Sequence, residues 1–191
     1  MKILGKANSL TFLENNQKKF RYEIPPFLKF TKKFYFKNKE KVSNIIYKKF
    51  LKQKIIIRSS SREEDNLNKS NAGKFDSIQL DDLSILNIQK YTELVSKKLK
   101  KNDEIIFQKY IENPNYAGVI FTRDINTNAP YYSINLDTSG KTDIITSGAN
   151  GSEIKNIIIF KNFIHKSKYR ELLNQIKNIE KLFSDNRLDI E

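Results

Sequence analysis

Cysteine is absent from the 191 residues, which excludes disulfides and thiolate zinc sites and fits a reducing cytoplasm as the working compartment. No apolar run approaches the ~18 residues that a membrane-spanning helix needs. The N-terminus lacks the apolar core of a secretory signal. Histidine occurs once, at His165, and its basic, loop-like surroundings (FIHKSK) mark it as a surface residue. Neither a zinc-finger spacing nor an aromatic RNA-binding signature is present, and no repeat or low-complexity linker interrupts the chain. Acidic residues are scarce in one region only. Residues 1–54 hold three Glu against 15 Lys and Arg, whereas the remainder is nearly balanced, 19 against 20. Such a basic segment could meet nucleic acid, a nucleotide triphosphate or an acidic partner domain. Solvated outer faces of helices and turns are the default reading.

What is present supports a folded protein. Hydrophobic residues make up 38% and aromatics 12%, enough for a core in one domain or two closely joined lobes. A short helix is expected over 4–13, with Leu4, Ala7, Leu10 and Leu13 on one face. Pro25 and Pro26 force an extended turn, and 27–31 alternates apolar and polar as a half-buried strand does. Residues 39–53 carry Val42, Ile45, Ile46, Phe50 and Leu51 at helical spacing. Residues 83–99 repeat that pattern with Leu86, Tyr91, Leu94, Val95 and Leu99. The lysine-rich end of this helix suggests a boundary, with an N-terminal lobe at 1–102 and a C-terminal lobe at 103–191. Strands are expected over 105–111, 116–122, 131–136, 143–147 and 157–160. A closing amphipathic helix spans 169–183, with Leu172, Leu173, Ile176, Ile179, Leu182 and Phe183 inward. The fold class is therefore α+β.

The segment richest in chemistry runs from 55 to 79 (IIIRSSSREEDNLNKSNAGKFDSIQ). A β-branched strand, 55–57, places Arg58 at its end. Three serines, an acidic cluster and a polar loop ending in Ser70-Asn71-Ala72-Gly73 follow, and a strand over 75–80 closes a hairpin. Loops this long within a compact unit are usually functional or disordered. The composition suits phosphate: Ser70, Ala72 and Gly73 allow close backbone approach, hydroxyls and amides donate, and Arg58 supplies fixed positive charge.

This segment resembles the V-R-S-S-A…E-D…S-F-A-G stretch of the ATP-binding domain shared by phosphoenolpyruvate synthase, pyruvate phosphate dikinase and rifampicin phosphotransferase. Five further pieces follow the family's order. Leu4-Gly5-Lys6-Ala7 is similar to L-G-G-K-A with one Gly missing, and Ile24-Pro25-Pro26-Phe27 to V-P-P-G-F. Gln108-Lys109-Tyr110 is similar to V-Q-x-M. Ala117-Gly118-Val119-Ile120-Phe121-Thr122-Arg123-Asp124 matches A-G-V-x-F-T-R-D, and Leu188-Asp189-Ile190-Glu191 resembles M-D-I-E. Any one of these is weak alone, but six in order make a specific pattern.

The resemblance implies an ATP-grasp fold, two lobes of antiparallel sheet with flanking helices and a nucleotide cleft between them. It implies ATP and Mg²⁺ as cofactors. Lys6 and Arg58 become phosphate-binding cations, with Arg123 a third, although Arg123 is also placed to pair with Asp124 or another surface carboxylate. Gln108, Lys109, Tyr110 and Ile111 become the hinge that reads the adenine edge; Phe107 and Tyr110 also fit as ordinary core aromatics. Asp189 and Glu191 become the metal carboxylates. Their i, i+2 spacing on a strand points both to one side, and hard oxygen ligands suit Mg²⁺.

The chain also departs from the family. Where the family has G-L-G-E-x-V-V-S-G, residues 140–148 read GKTDIITSG, so Asp143 stands for Glu beside the phosphates or metal. The family pattern continues past Asp-Ile-Glu with a strand ending in L-Q-x-R-P, so this sequence is expected to be a piece of a longer enzyme. The family's carrier histidine lies in a G-G-x-x-S-H motif on a swivelling domain, and nothing here matches it. The compact form resembles a branch linked to surface polysaccharide assembly, in which the acceptor is an amide, as in glutamine kinases. The expected partners are ATP, a phosphohistidine carrier domain and an acceptor domain, with no membrane. Two other classes stand beside this one: a non-catalytic nucleotide-binding module and a basic nucleic-acid-binding protein.

Overall fold

A computed structural model describes residues 5–19, 22–61, 77–137, 154–184 and 187–191. The chain divides into two units, one of Lys2–Lys18 and Glu23–Ile111, the other of Glu112–Glu191 together with Lys19–Tyr22. The sequence reading set its boundary after residue 102. The strand that follows that point belongs to the first unit's sheet.

The first unit contains α1 (Lys6–Asn16), β1 (Phe27–Thr31), α2 (Lys32–Lys37), α3 (Lys39–Lys49), β2 (Ile55–Ser60), β3 (Ser77–Leu80), α4 (Ile85–Val95) and β4 (Glu104–Lys109). Its sheet is antiparallel throughout, in the order β1-β4-β2-β3. Opposed residues of antiparallel strands share a face, so the register sorts the side chains into two sets. Leu28, Phe107, Ile57 and Ile78 form one row of the apolar face, flanked by Phe30 with Ile105 and by Ile55 with Leu80. That face meets Tyr35, Val42, Ile46, Phe50, Ile88, Val95 and Leu99 in a single core. Full burial of each such aliphatic side chain contributes about 1.5–3 kcal/mol.

Local chemistry sets the helix ends. Thr31 ends β1 and caps α2, its Oγ1 accepting from Phe34 N at 3.2 Å. Ser84 does the same for α4, accepting from Asn87 N at 3.1 Å. Lys32 Nζ donates to the carbonyls of Ser96 (2.8 Å) and Leu99 (2.7 Å) just beyond the end of α4. The sequence pattern did not reveal α2. Six residues are too few for a helical period to show, and the run KFYF reads equally well as strand. In α3 the expected face is partly right: Val42, Ile46 and Phe50 are buried, whereas Ile45 and Leu51 are exposed.

The second unit contains β5 (Ala117–Phe121), β6 (Tyr131–Asp137), β7 (Ile154–Phe160), a 3₁₀ segment (Lys161–Lys166), α5 (Arg170–Phe183) and β8 (Asp189–Ile190). Its sheet is also antiparallel, in the order β7-β6-β5-β8. The strand expected over 143–147 lies outside the described residues. Tyr132, Ile134 and Leu136 alternate into the buried face of β6. The Tyr132 hydroxyl donates to Glu180 Oε2 at 2.5 Å, which ties α5 to that face. Along α5, Leu173, Ile176, Ile179, Glu180 and Phe183 are buried, while Leu172, expected inward, is exposed in the first turn. Gly118 has a steric reason: a Cβ there would lie 2.6 Å from the Asn135 carbonyl oxygen on β6.

The protein is thus α+β, with two antiparallel sheets. Among the described residues no helix is long and apolar enough to cross a membrane.

Candidate functional site

The face of the first sheet opposite its core is largely polar, with Ile106, Ile56 and Phe27 among its residues. Register places Lys29, Ile106, Arg58 and Ser77 in one row across β1, β4, β2 and β3. Thr31, Glu104 and Ser60 form the row on one side of it, and Phe27, Gln108, Ile56 and Gln79 the row on the other. Arg58 therefore lies inside β2. It was expected at the strand's end because only 55–57 is β-branched, but pairing with β4 carries the strand on through Ser60. Arg58 and Lys29 stand two strands apart, about 10 Å at the usual strand spacing.

Helix α1 approaches this polar face. Gly5 precedes it and provides no side-chain cap, although its carbonyl accepts from Asn8 N and Ser9 N. The first-turn amides of a helix have no partner within the helix. Ala7 N–H finds one across the fold, donating to the buried Ser60 Oγ at 3.0 Å. One residue on, Asn8 Oδ1 accepts from Lys29 Nζ at 2.7 Å, and Lys29 also pairs with Glu104 Oε1 at 3.0 Å. Lys6, the first residue of α1, is thereby brought to the side of the sheet that carries Arg58. Lys29 was not among the residues expected here. Its polar position in β1 was legible, but nothing local said that α1 would lie opposite it.

Of the expected hinge, Gln108 is buried within β4, Lys109 closes that strand, and Tyr110 and Ile111 follow it. The Lys109 N–H donates to the Pro26 carbonyl and the Tyr110 N–H to the Lys54 carbonyl, both at 2.9 Å. Those two donors are engaged within the protein. Phe107 sits in the core, as its alternation suggested. Ser70, Ala72, Gly73 and Asp143 lie outside the described residues.

In the second unit, Arg123 follows β5, and its Nη1 donates to the Asn128 carbonyl at 2.7 Å. It forms no ion pair with Asp124. The Asp124 carboxylate instead accepts from Asn126 N (3.1 Å), Thr127 N (2.7 Å) and Thr127 Oγ1 (2.7 Å), closing its own turn. The hydrogen bonds from Thr127 hold this carboxyl below its ordinary pKa. The buried Arg123 Nε has no acceptor among the described residues. Asp189 lies in β8 opposite Phe121, and Glu191 comes two residues later; both are exposed. Thr122 latches that strand, donating from N to the Leu188 carbonyl (2.9 Å) and accepting from Leu188 N on Oγ1 (2.7 Å).

Compared with models of known protein families and with curated proteins, the chain matches none.

His165 is exposed at the end of the 3₁₀ segment, beside the Phe163 ring. One polar cluster went unforeseen. Glu180 accepts from both Tyr132 and Lys161, and the Lys161 ammonium also lies 4.6 Å from the Tyr132 ring centroid. Burial, with the neighbouring Glu180 second, pushes the Tyr132 phenol well above its ordinary pKa. This cluster is closed on itself and serves to hold α5 in place. A glutamate in an otherwise apolar helical stripe was the one signal that could have found it.

Proposed function

We propose that the chain is the ATP-binding portion of a dikinase-like phosphotransferase with an ATP-grasp arrangement. In this reading the nucleotide phosphates lie against the polar face of the first sheet, where Lys6 and Arg58 neutralise charge. Phosphoryl transfer depends mainly on positioning and on charge neutralisation, which rigidly placed Lys and Arg side chains supply. The observation that carries the reading is the bond from Ala7 N–H to Ser60 Oγ. It joins two segments, far apart in the chain, that both resemble phosphate-contacting pieces of that family.

Asp189 and Glu191 would hold Mg²⁺. Hard oxygen ligands suit this ion, and both side chains are exposed on the second unit. When bound, Mg²⁺ would neutralise phosphate charge. Residues 108–111 remain the segment proposed for the adenine edge. With the amides of Lys109 and Tyr110 already donating, other backbone groups of that segment would make the contact. The phosphoryl group would pass to a histidine on a separate carrier domain and then to a pyruvate-like or amide acceptor such as glutamine.

The test is thermal unfolding of the protein as its gene encodes it, with millimolar Mg·ATP and, separately, Mg·AMP. A ligand at 100 times its Kd stabilises the native state by about 2.7 kcal/mol. A rise in Tm with Mg·ATP that AMP does not reproduce is expected. No rise with Mg·ATP overturns the reading.

A further inference from the structure

We propose that Ser60 and Asn8 are positioning residues that lock α1 in register on the sheet, so that Lys6 is presented to the same phosphates as Arg58. This rests on the nucleotide reading above and concerns how its two cations keep their relative placement.

Apolar packing is a poor guide for α1. The helix buries a single residue, Ala7, and Leu10 and Leu13 are only half-buried. A helix held by a broad apolar stripe has its rotation fixed by that stripe. Directional contacts fix the rotation where a broad stripe does not, and two join consecutive residues of α1 to the sheet. Ala7 N–H donates to Ser60 Oγ, and Asn8 Oδ1 accepts from Lys29 Nζ. Both immediately follow Lys6. Ser60 is 4% exposed, so its hydroxyl acts in a dry setting where losing a partner is felt. It also lies two residues from Arg58 on the same face of β2. The Lys29 anchor is held in turn by Glu104 and sits in Arg58's own cross-strand row. A turn of α1 about its axis would break both contacts at once and move Lys6 with them.

The experiment is a double-mutant cycle between Ser60→Ala and Lys6→Ala, read by Mg·ATP affinity, with Tm recorded for every variant. Ser60→Thr keeps the hydroxyl and serves as the rescue. Asn8→Ala is the second probe, since it loosens α1 without touching β2. Ser60→Ala is expected to weaken Mg·ATP binding about tenfold while adding little to the loss already caused by Lys6→Ala. Ser60→Thr should restore affinity, and Asn8→Ala should behave as Ser60→Ala does. Amide exchange at Ala7, followed without nucleotide, should quicken in Ser60→Ala. If the wild-type protein binds Mg·ATP but the losses from Ser60→Ala and Lys6→Ala simply add, the positioning role is overturned and the nucleotide reading stands. Unchanged Ala7 exchange in Ser60→Ala also overturns it. If the wild-type protein does not bind Mg·ATP, the nucleotide reading fails first and takes the role of Lys6 with it.

Discussion

Arg58 sits mid-strand in β2 with Ile106 on one side and Ser77 on the other, so its side chain starts from a well-defined point. Arg58→Ala is expected to lower phosphotransfer by the protein on the order of 10³-fold, as loss of a charge-stabilising arginine does in favourable cases. Tm should move far less. Lost stability with normal specific activity in the remaining folded protein would make Arg58 structural. Asp124 offers a prediction about pH. Its folded pKa is lowered because its carboxylate accepts from Thr127 and Asn126, so ionisation favours the folded turn. That contribution is fully present above the unfolded value of 3.8 and is lost as pH falls through the lower folded value. An NMR titration of the Thr127 amide should therefore show a midpoint below 3.8. A midpoint at or above it would contradict the hydrogen-bonded turn.

Among the elements, α5 and β5 carry the sharpest tests. Removing the carboxylate in Glu180→Ala strands the Tyr132 hydroxyl and the Lys161 ammonium. Because Lys161 remains partly exposed, the cost is expected at about 2–3 kcal/mol, below the range for a fully buried pair. Denaturant unfolding of the second unit measures it, and a change below about 0.5 kcal/mol would show the cluster to be dispensable. Gly118→Ala should be destabilising for a different reason. Its new methyl would meet backbone rather than a side chain that can swing away, so β5 must shift against β6. A loss of about 1–3 kcal/mol is expected, typical of overpacking. An unchanged unfolding midpoint would mean that the strands have room to part.

For the molecule as a whole, the prediction concerns what the chain can carry. Its single histidine, His165, is exposed beside Phe163, next to Lys166 and followed by Lys168. In-line phosphoryl transfer needs a nucleophile aligned with the transferred group. Incubating the 191-residue chain with ATP labelled at the β- or γ-phosphate should leave no stoichiometric, alkali-stable label on the protein. Label mapped to His165 would make that residue the carrier and overturn the proposed division of labour.

The sequence by itself determined the α+β class and most of the elements, because strands and helices here announce themselves through apolar periodicity. β1, at 27–31, is found where the alternation placed it. It also supplied the residues proposed for nucleotide binding, through the order of the motifs along the string. Short elements escaped: α2 is too brief to show a period, and β2 outran its β-branched stretch because pairing with β4, not propensity, extends it to Ser60. The tertiary structure alone decided which residues meet. That β4 lies between β1 and β2 follows from strand pairing across long separations. The capping of α1 by a serine of β2 and the pairing of Lys29 with Asn8 follow from which face of the sheet stays polar. Local propensity carries no record of such contacts, because each partner's pattern is satisfied without the other.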